Sequence, residues 1–320
     1  MNSQVKKQII NQVNIFRSLF ILFIICIAAA FLSSSFLSIA NVFNVIKQIT
    51  VAGIVGCGMT YVILIGGIDL SVGSIVGLAG AVSAGTLATS EHTVMAVVVA
   101  LGIGLLCGIA NGFFVAFCEI PAFIVTLGMM TLLRGCTLVY TGGSPISVKA
   151  DTYKFIGKGI VLGIPVPVIL LIIIYIIAHY ILTWTSFGRS IYALGGNREA
   201  ARLSGIRTKW TEWKVYIFSG LMSSIAAIIL TSRLGSAQST SGQGIEMDAI
   251  AAVILGGTSL SGGIGYVLPT VIGAMIMGII DNILTLMNVN PHATSIVKGA
   301  VVLIAVLVDK KVKDLSAKAE

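Results

Sequence analysis

Ser186–Lys214 reads SFGRSIYALGGNREAARLSGIRTKWTEWK. It is the longest polar interruption in an otherwise apolar chain. Six basic residues (Arg189, Arg198, Arg202, Arg207, Lys209, Lys214) face two acidic ones (Glu199, Glu212) in it. Its centre, Asn197-Arg-Glu-Ala-Ala-Arg-Leu-Ser-Gly205, predicts one short helix with both ends marked. Asn197 is suited to cap the first turn. Glu199 sits near the positive end of the dipole and Arg202 near the negative end. Gly205 is placed to end the helix in the left-handed conformation. Ala200 and Leu203 are three apart and share a face. A helix of two turns does not hold together alone in water. It must dock, and a separate motor subunit is the expected support.

Outward from this stretch the chain is oil. Of 320 residues, 57% are hydrophobic and only 10% charged, against roughly 25% charged in a soluble domain. The class is an all-α integral membrane protein. Spans need about 20 apolar residues each, which allows about ten transmembrane helices. They read as 17–36, 43–65, 71–90, 94–117, 122–140, 163–183, 213–232, 248–259, 266–287 and 294–308. The first apolar run is long enough to be a retained span rather than a cleaved signal. Three parts follow: a cytoplasmic N-terminal segment 1–16, a transmembrane domain 17–308 with its cytoplasmic loop at about 184–212, and a cytoplasmic tail 309–320. With both termini inside, 13 of the 20 Lys and Arg fall on the inner side, as the positive-inside rule requires. Lys149, Lys154 and Lys158, in the long outer loop 141–162, run against it. The basic charge sets topology and does not indicate nucleic acid. Cys26, Cys57, Cys107, Cys118 and Cys136 read as small hydrophobes in helices.

Small residues recur at helix-packing intervals: Gly73-x-x-x-Gly77, and Gly104, Gly108 and Gly112 on one face. Such faces let helix backbones meet in lipid. One internal echo stands out. Gly66-Gly-Ile-Asp-Leu-Ser-Val-Gly73 and Gly256-Gly-Thr-Ser-Leu-Ser-Gly-Gly263 share a Gly-Gly-x-x-Leu-Ser-x-Gly skeleton. Paired, glycine-broken segments in a transporter point to unwound backbone near a pathway. A pair of tight turns at the membrane surface fits the same residues. The echo and the charges within spans, which are costly there, name the candidate pathway residues: Asp69, Ser71, Arg134, Thr258, Ser259 and Asp281. Asp69 or Ser71 also reads as a helix cap. Arg134 needs a partner that the sequence does not identify. Asp281 and Lys298 are a possible pair, and Glu246 and Asp248 are possible caps or anchors. No catalytic constellation and no Gly-x-x-x-x-Gly-Lys-Ser/Thr phosphate loop is present. ATP-driven transport therefore requires nucleotide on another chain.

Three motifs carry a resemblance. They are Gly67-Ile-Asp-Leu-Ser-Val-Gly73, Ala193-Leu-Gly-Gly-Asn197 running into Glu199-Ala-Ala-Arg-Leu-Ser-Gly205, and Asp248-Ala-Ile-Ala-Ala-Val-Ile-Leu-Gly-Gly-Thr-Ser-Leu260. In order and spacing the chain resembles the membrane subunits of bacterial ATP-binding-cassette importers for monosaccharides, the ribose branch in particular. The resemblance covers nearly the whole chain and implies a type II-like importer permease architecture. It implies that Asn197, Arg198, Glu199, Ala200, Ala201, Arg202, Leu203, Ser204 and Gly205 form the loop that contacts the ATPase. It further implies a second permease copy, a cytoplasmic ATPase holding ATP and Mg, a periplasmic or lipid-anchored sugar-binding protein, and a bacterial cytoplasmic (inner) membrane location. No cofactor is expected on this chain. Another sugar (allose, xylose, psicose) or a stand-alone secondary carrier are the other readings.

Overall fold

The computed structural model describes residues 3–90 and 92–318, with side chains for residues 18–90, 92–290 and 292–307. The expected N-terminal segment 1–16 and tail 309–320 carry side chains outside the described residues. Among the described residues, thirteen helices follow in chain order: α1 (Ser3–Leu32), α2 (Ile39–Leu64), α3 (Val72–Ser90), α4 (Thr93–Ala116), α5 (Ala122–Thr141), α6 (Asp151–Lys158), α7 (Val166–Trp184), α8 (Ser186–Gly196), α9 (Arg198–Leu203), α10 (Thr208–Leu234), α11 (Ile245–Leu255), α12 (Val267–Leu286) and α13 (Pro291–Lys318). Two tiny antiparallel ribbons interrupt them. β1 (Ile146–Ser147) pairs with β4 (Ser236–Ala237), and β2 (Ile160–Val161) pairs with β3 (Ile164–Pro165).

The helices persist through β-branched runs such as VILLIII in α7. In a lipid environment every backbone group must be satisfied within the segment, and that overrides weak propensity. Their ends are set locally. Gly142 after α5 and Gly235 after α10 take left-handed backbone, with φ of 59° and 73°, where a side chain is strained.

Among the described residues, seven helices are long and apolar enough to cross a membrane: α2, α3, α4, α5, α7, α10 and α12. The described side chains of α1 and α13 cover the apolar stretches Ser18–Leu32 and His292–Leu307. The expectation of ten spans is therefore met in part. The clearest departure is the expected span 248–259. It is α11, whose 11 residues rise only about 16 Å, half of a hydrocarbon core of about 30 Å. It stops because the chain turns at Gly256-Gly257, where Gly257 has φ of +87°.

α10 lies at the centre and is buried along most of its length, as are α2 and α3, whereas α5 and α7 are largely exposed. The glycine stripe of α4 faces α10. A Cβ on Gly104 would meet Gly220 O, on Gly108 Ile217 Cα, and on Gly112 Trp213 Cα. The two backbones are in contact, as small-residue spacing implies.

Candidate functional site

The polar stretch around residue 200 forms α8, α9 and the first turns of α10. α9 is capped as its residues dictate. Asn197 Oδ1 accepts from Ala200 N at 2.9 Å, and Gly205 follows with φ of +83°. Its support within the chain is one the sequence does not announce. Arg198 donates twice to Glu212 on α10, at 3.1 and 2.7 Å, and Ala201 is buried beneath the helix. Glu199 and Arg202 pair with each other on the surface, at 3.0 and 2.6 Å. The Arg202 guanidinium holds the Glu199 carboxyl below the usual carboxylate range, so it stays ionised at neutral pH. Ala200, Ser204 and Leu203 are exposed, and Leu203 is 73% exposed. A leucine left bare on a helix tethered by its opposite face leaves an apolar tip for another surface.

Behind α9 lies a cavity of about 580 Å³. Its wall includes Glu119, Arg198, Glu199, Lys209 and Glu212, and it reaches the glycine turn at Gly66-Gly67. Lys209 bridges to Glu119 at 2.6 Å, which lowers the Glu119 carboxyl below its ordinary range. Lys209 and Glu212 belong to the polar stretch, whose charge marks them without giving their partners, whereas nothing in the sequence ties Glu119 to it.

The two echo motifs meet in space. Gly263 N donates to Leu64 O at 2.9 Å. A Cβ on Gly262 would contact Gly66 N and Leu64 O at 3.0 and 3.1 Å. Gly195 of α8 lies between them, against Leu64 and Gly263. Tyr192, also on α8, donates to Gly265 O at 2.7 Å. The turns are therefore interlocked backbone, with α8 as their clamp.

Asp69 is fully buried inside the first turn. Its Oδ1 accepts from Ser71 N at 3.0 Å and Ser71 Oγ at 2.6 Å, and its Oδ2 from Ser219 Oγ of α10 at 2.9 Å. Asn111 Nδ2 of α4 donates to Ser71 Oγ at 2.8 Å. Asp69 thus closes a turn over residues 69–71 and fastens it to α10, a stronger role than a helix cap. Ser219 is eleven residues into α10, about 17 Å by helical rise. The turn lies within the α10 span, not beyond its end. Thr258 and Ser259 are buried in the second turn, where Ser259 N donates to Ile264 O at 2.9 Å.

The remaining candidates lie elsewhere. Arg134 Nη1 donates to Ser241 O at 2.8 Å, so its partner is a backbone carbonyl after β4. Asp281 on α12 and Asp248 on α11 both meet Lys298 on α13, at 2.8 and 2.9 Å. The Asp281–Lys298 pair stands as expected. Asp248 joins it and is neither a cap nor an interface anchor alone.

These features, glycine-broken helices meeting inside a bundle and a capped helix exposed beside a charged cavity, are those of a transport subunit. The family described as "Branched-chain amino acid transport system / permease component" matches residues 41–306. The chain belongs to this family. It is a multi-pass membrane transport component. Its relatives include the ribose import permease protein RbsC of Escherichia coli (strain K12), 47% identical over 299 residues, which span 92% of this chain and 93% of the relative. RbsC of Bacillus subtilis (strain 168) is 45% identical over 292 residues, 91% of each chain. The xylose transport system permease protein XylH of Escherichia coli (strain K12) is 36% identical over 341 aligned positions, 87% of each. No solved structure matches the chain.

Proposed function

We propose that the chain is the membrane-spanning permease subunit of an ATP-driven importer that carries ribose or a similar monosaccharide. The likeness to ribose import permeases over more than nine-tenths of the chain carries this reading. The xylose relative is less similar, which favours ribose. In this reading ATP and Mg sit on a cytoplasmic ATPase, and an extracytoplasmic binding protein delivers the sugar. α9 faces the cytosol, and its bare Leu203 and Ala200 enter a groove of the ATPase, with Glu199 and Arg202 beside them. Both termini lie on the same side as α9, in a bacterial inner membrane. A second copy of the chain completes the permease, and the exposed faces of α5 and α7 supply surface for that copy and for lipid.

ATP-driven closure of the partner moves α9. Because Arg198 ties α9 to α10, and α8 clamps both glycine turns, that motion reaches Asp69, Ser71, Thr258 and Ser259 at the centre. Domain rocking of this kind alternates access. Glu199→Lys tests the reading, since it breaks the pair with Arg202 and reverses the charge beside Leu203. The expected result is loss of ATP-driven ribose uptake at normal surface expression. Undiminished uptake removes the coupling role.

A further inference from the structure

At the end of α10 remote from α9, a cavity of about 250 Å³ opens between α2, α10, α11 and α12. Its polar wall is Gln48, Arg233, Gln238, Gln243, Asp248 and Asp281. The backbone that frames it does not stay at the surface. The chain leaves α10 at Gly235, passes through β4 and turns back inward. There a Cβ on Gly77 would meet Ser241 O, and Gly242 packs on Gly73. Gly73 and Gly77 belong to the first two turns of α3, next to Asp69. The Asp69 partner Ser219 lies fifteen residues before the end of α10, about 22 Å by helical rise. α11 therefore begins deep in the bundle. Irregular backbone at such depth is tolerated where it is buried in protein or lines a wet cavity.

The wall holds hydrogen-bonding capacity that the chain does not use. Lys298 takes one oxygen of each carboxylate. Asp248 Oδ1 and Asp281 Oδ1 are buried with no partner, and Asp248 is only 9% exposed. Arg233 is partly buried and has no acidic partner among the described residues. Buried polar atoms in native structures are normally paired. Within the wall and its ion-pair partner the charges nevertheless balance, with two carboxylates against Lys298 and Arg233, while Glu246 in the first turn of α11 lies outside the wall. An ion of either sign would upset that balance. A neutral molecule rich in hydroxyls preserves it, accepting from Arg233 and exchanging hydrogen bonds with the three glutamine amides. The volume lies below the roughly 300–1,000 Å³ of pockets for drug-sized ligands, which selects a small solute.

We propose that this cavity is a binding site for a neutral polyhydroxylated solute of about pentose size. The proposal deepens the permease reading and rests on it for the identity of the solute. The test uses Gln243→Cys, at an exposed wall position, and Ser239→Cys, on the same segment but off the wall. Each is placed in a chain without its native cysteines and assembled with the ATPase in vesicles. A membrane-impermeant thiol reagent is applied from the cavity side. Millimolar D-ribose should slow labelling of Gln243→Cys by the factor 1 + [L]/Kd, about five-fold at four-fifths occupancy, and leave Ser239→Cys unchanged. Sodium sulfate at equal osmolarity should protect neither. An unchanged rate at Gln243→Cys, equal slowing at both positions, or equal protection by sulfate overturns the assignment. The labelling requires no transport. A wild-type complex that imports no monosaccharide would fail the permease reading instead, with the labelling result standing apart from it.

Discussion

Asp69 shows what a single side chain does here. One carboxylate accepts three hydrogen bonds in a fully buried turn. Leaving a buried donor without its acceptor costs about 1–3 kcal/mol. Asp69→Ala strands up to three donors at once. It should lower the thermal unfolding midpoint of the purified protein strongly, and more than Asp69→Asn, which keeps one acceptor oxygen. Equal midpoints for the two variants would show that the bonds to Ser71 and Ser219 contribute nothing. The presence of an unusual charge here was plain in the sequence, because an aspartate between Ile68 and Leu70 is conspicuous in an apolar chain. Its partner Ser219 was not. Nothing distinguishes that serine from the other hydroxyls of α10 until the fold brings it, 150 positions away, to the carboxylate.

At the scale of elements, α8 decides whether the two glycine turns stay together. Gly195 and Gly196 are neighbours with opposite surroundings. A Cβ on Gly195 would strike backbone atoms of Leu64 and Gly263, whereas one on Gly196 would meet nothing within 4 Å. Gly196→Ala should be neutral, or stabilising by up to about 1 kcal/mol through helix propensity. Gly195→Ala should force α8 off the turns and abolish uptake, with expression followed to separate misfolding from uncoupling. Similar behaviour of the two variants would dismiss the clamp. In the sequence these two glycines are indistinguishable. α9 was legible by contrast, since Asn197, Glu199, Arg202 and Gly205 act on backbone within their own few residues. The internal support of α9 was not legible, because Arg198 reaches Glu212 fourteen residues onward. The sequence of α11 reads as a span, and the fold makes it half of one. Its apolar composition is that of a membrane helix, and only the turn at Gly256-Gly257 shows that it ends halfway.

Across the whole molecule, two cavities lie toward opposite ends of α10. One ends at Gly66-Gly67 and the other at Gly242. The Asp69 network and the interlocked turns stand between them. Beside this centre, Lys298 of α13 bridges Asp248 of the half-helix α11 and Asp281 of α12, and so ties these three late helices together. Removing one partner of a buried charge cluster typically costs about 3–5 kcal/mol. Lys298→Met should therefore lower the unfolding midpoint sharply, and adding Asp248→Asn with Asp281→Asn should recover part of the loss. A single variant as stable as the wild type would show that the bridge does not hold α13 in place.

The sequence by itself determined the class, the membrane setting, the helical segments, the capped α9 and the glycine faces. Each of these depends on composition or on contacts within a few residues, where hydropathy, backbone satisfaction and capping act. Only the tertiary structure decided that the two echo motifs touch, that α11 is a half-helix, and that the segment after α10 turns inward beside α3. It also decided which buried charges share a partner. Those outcomes depend on close approach between segments far apart in the chain, and that approach is set by the packing of the whole bundle.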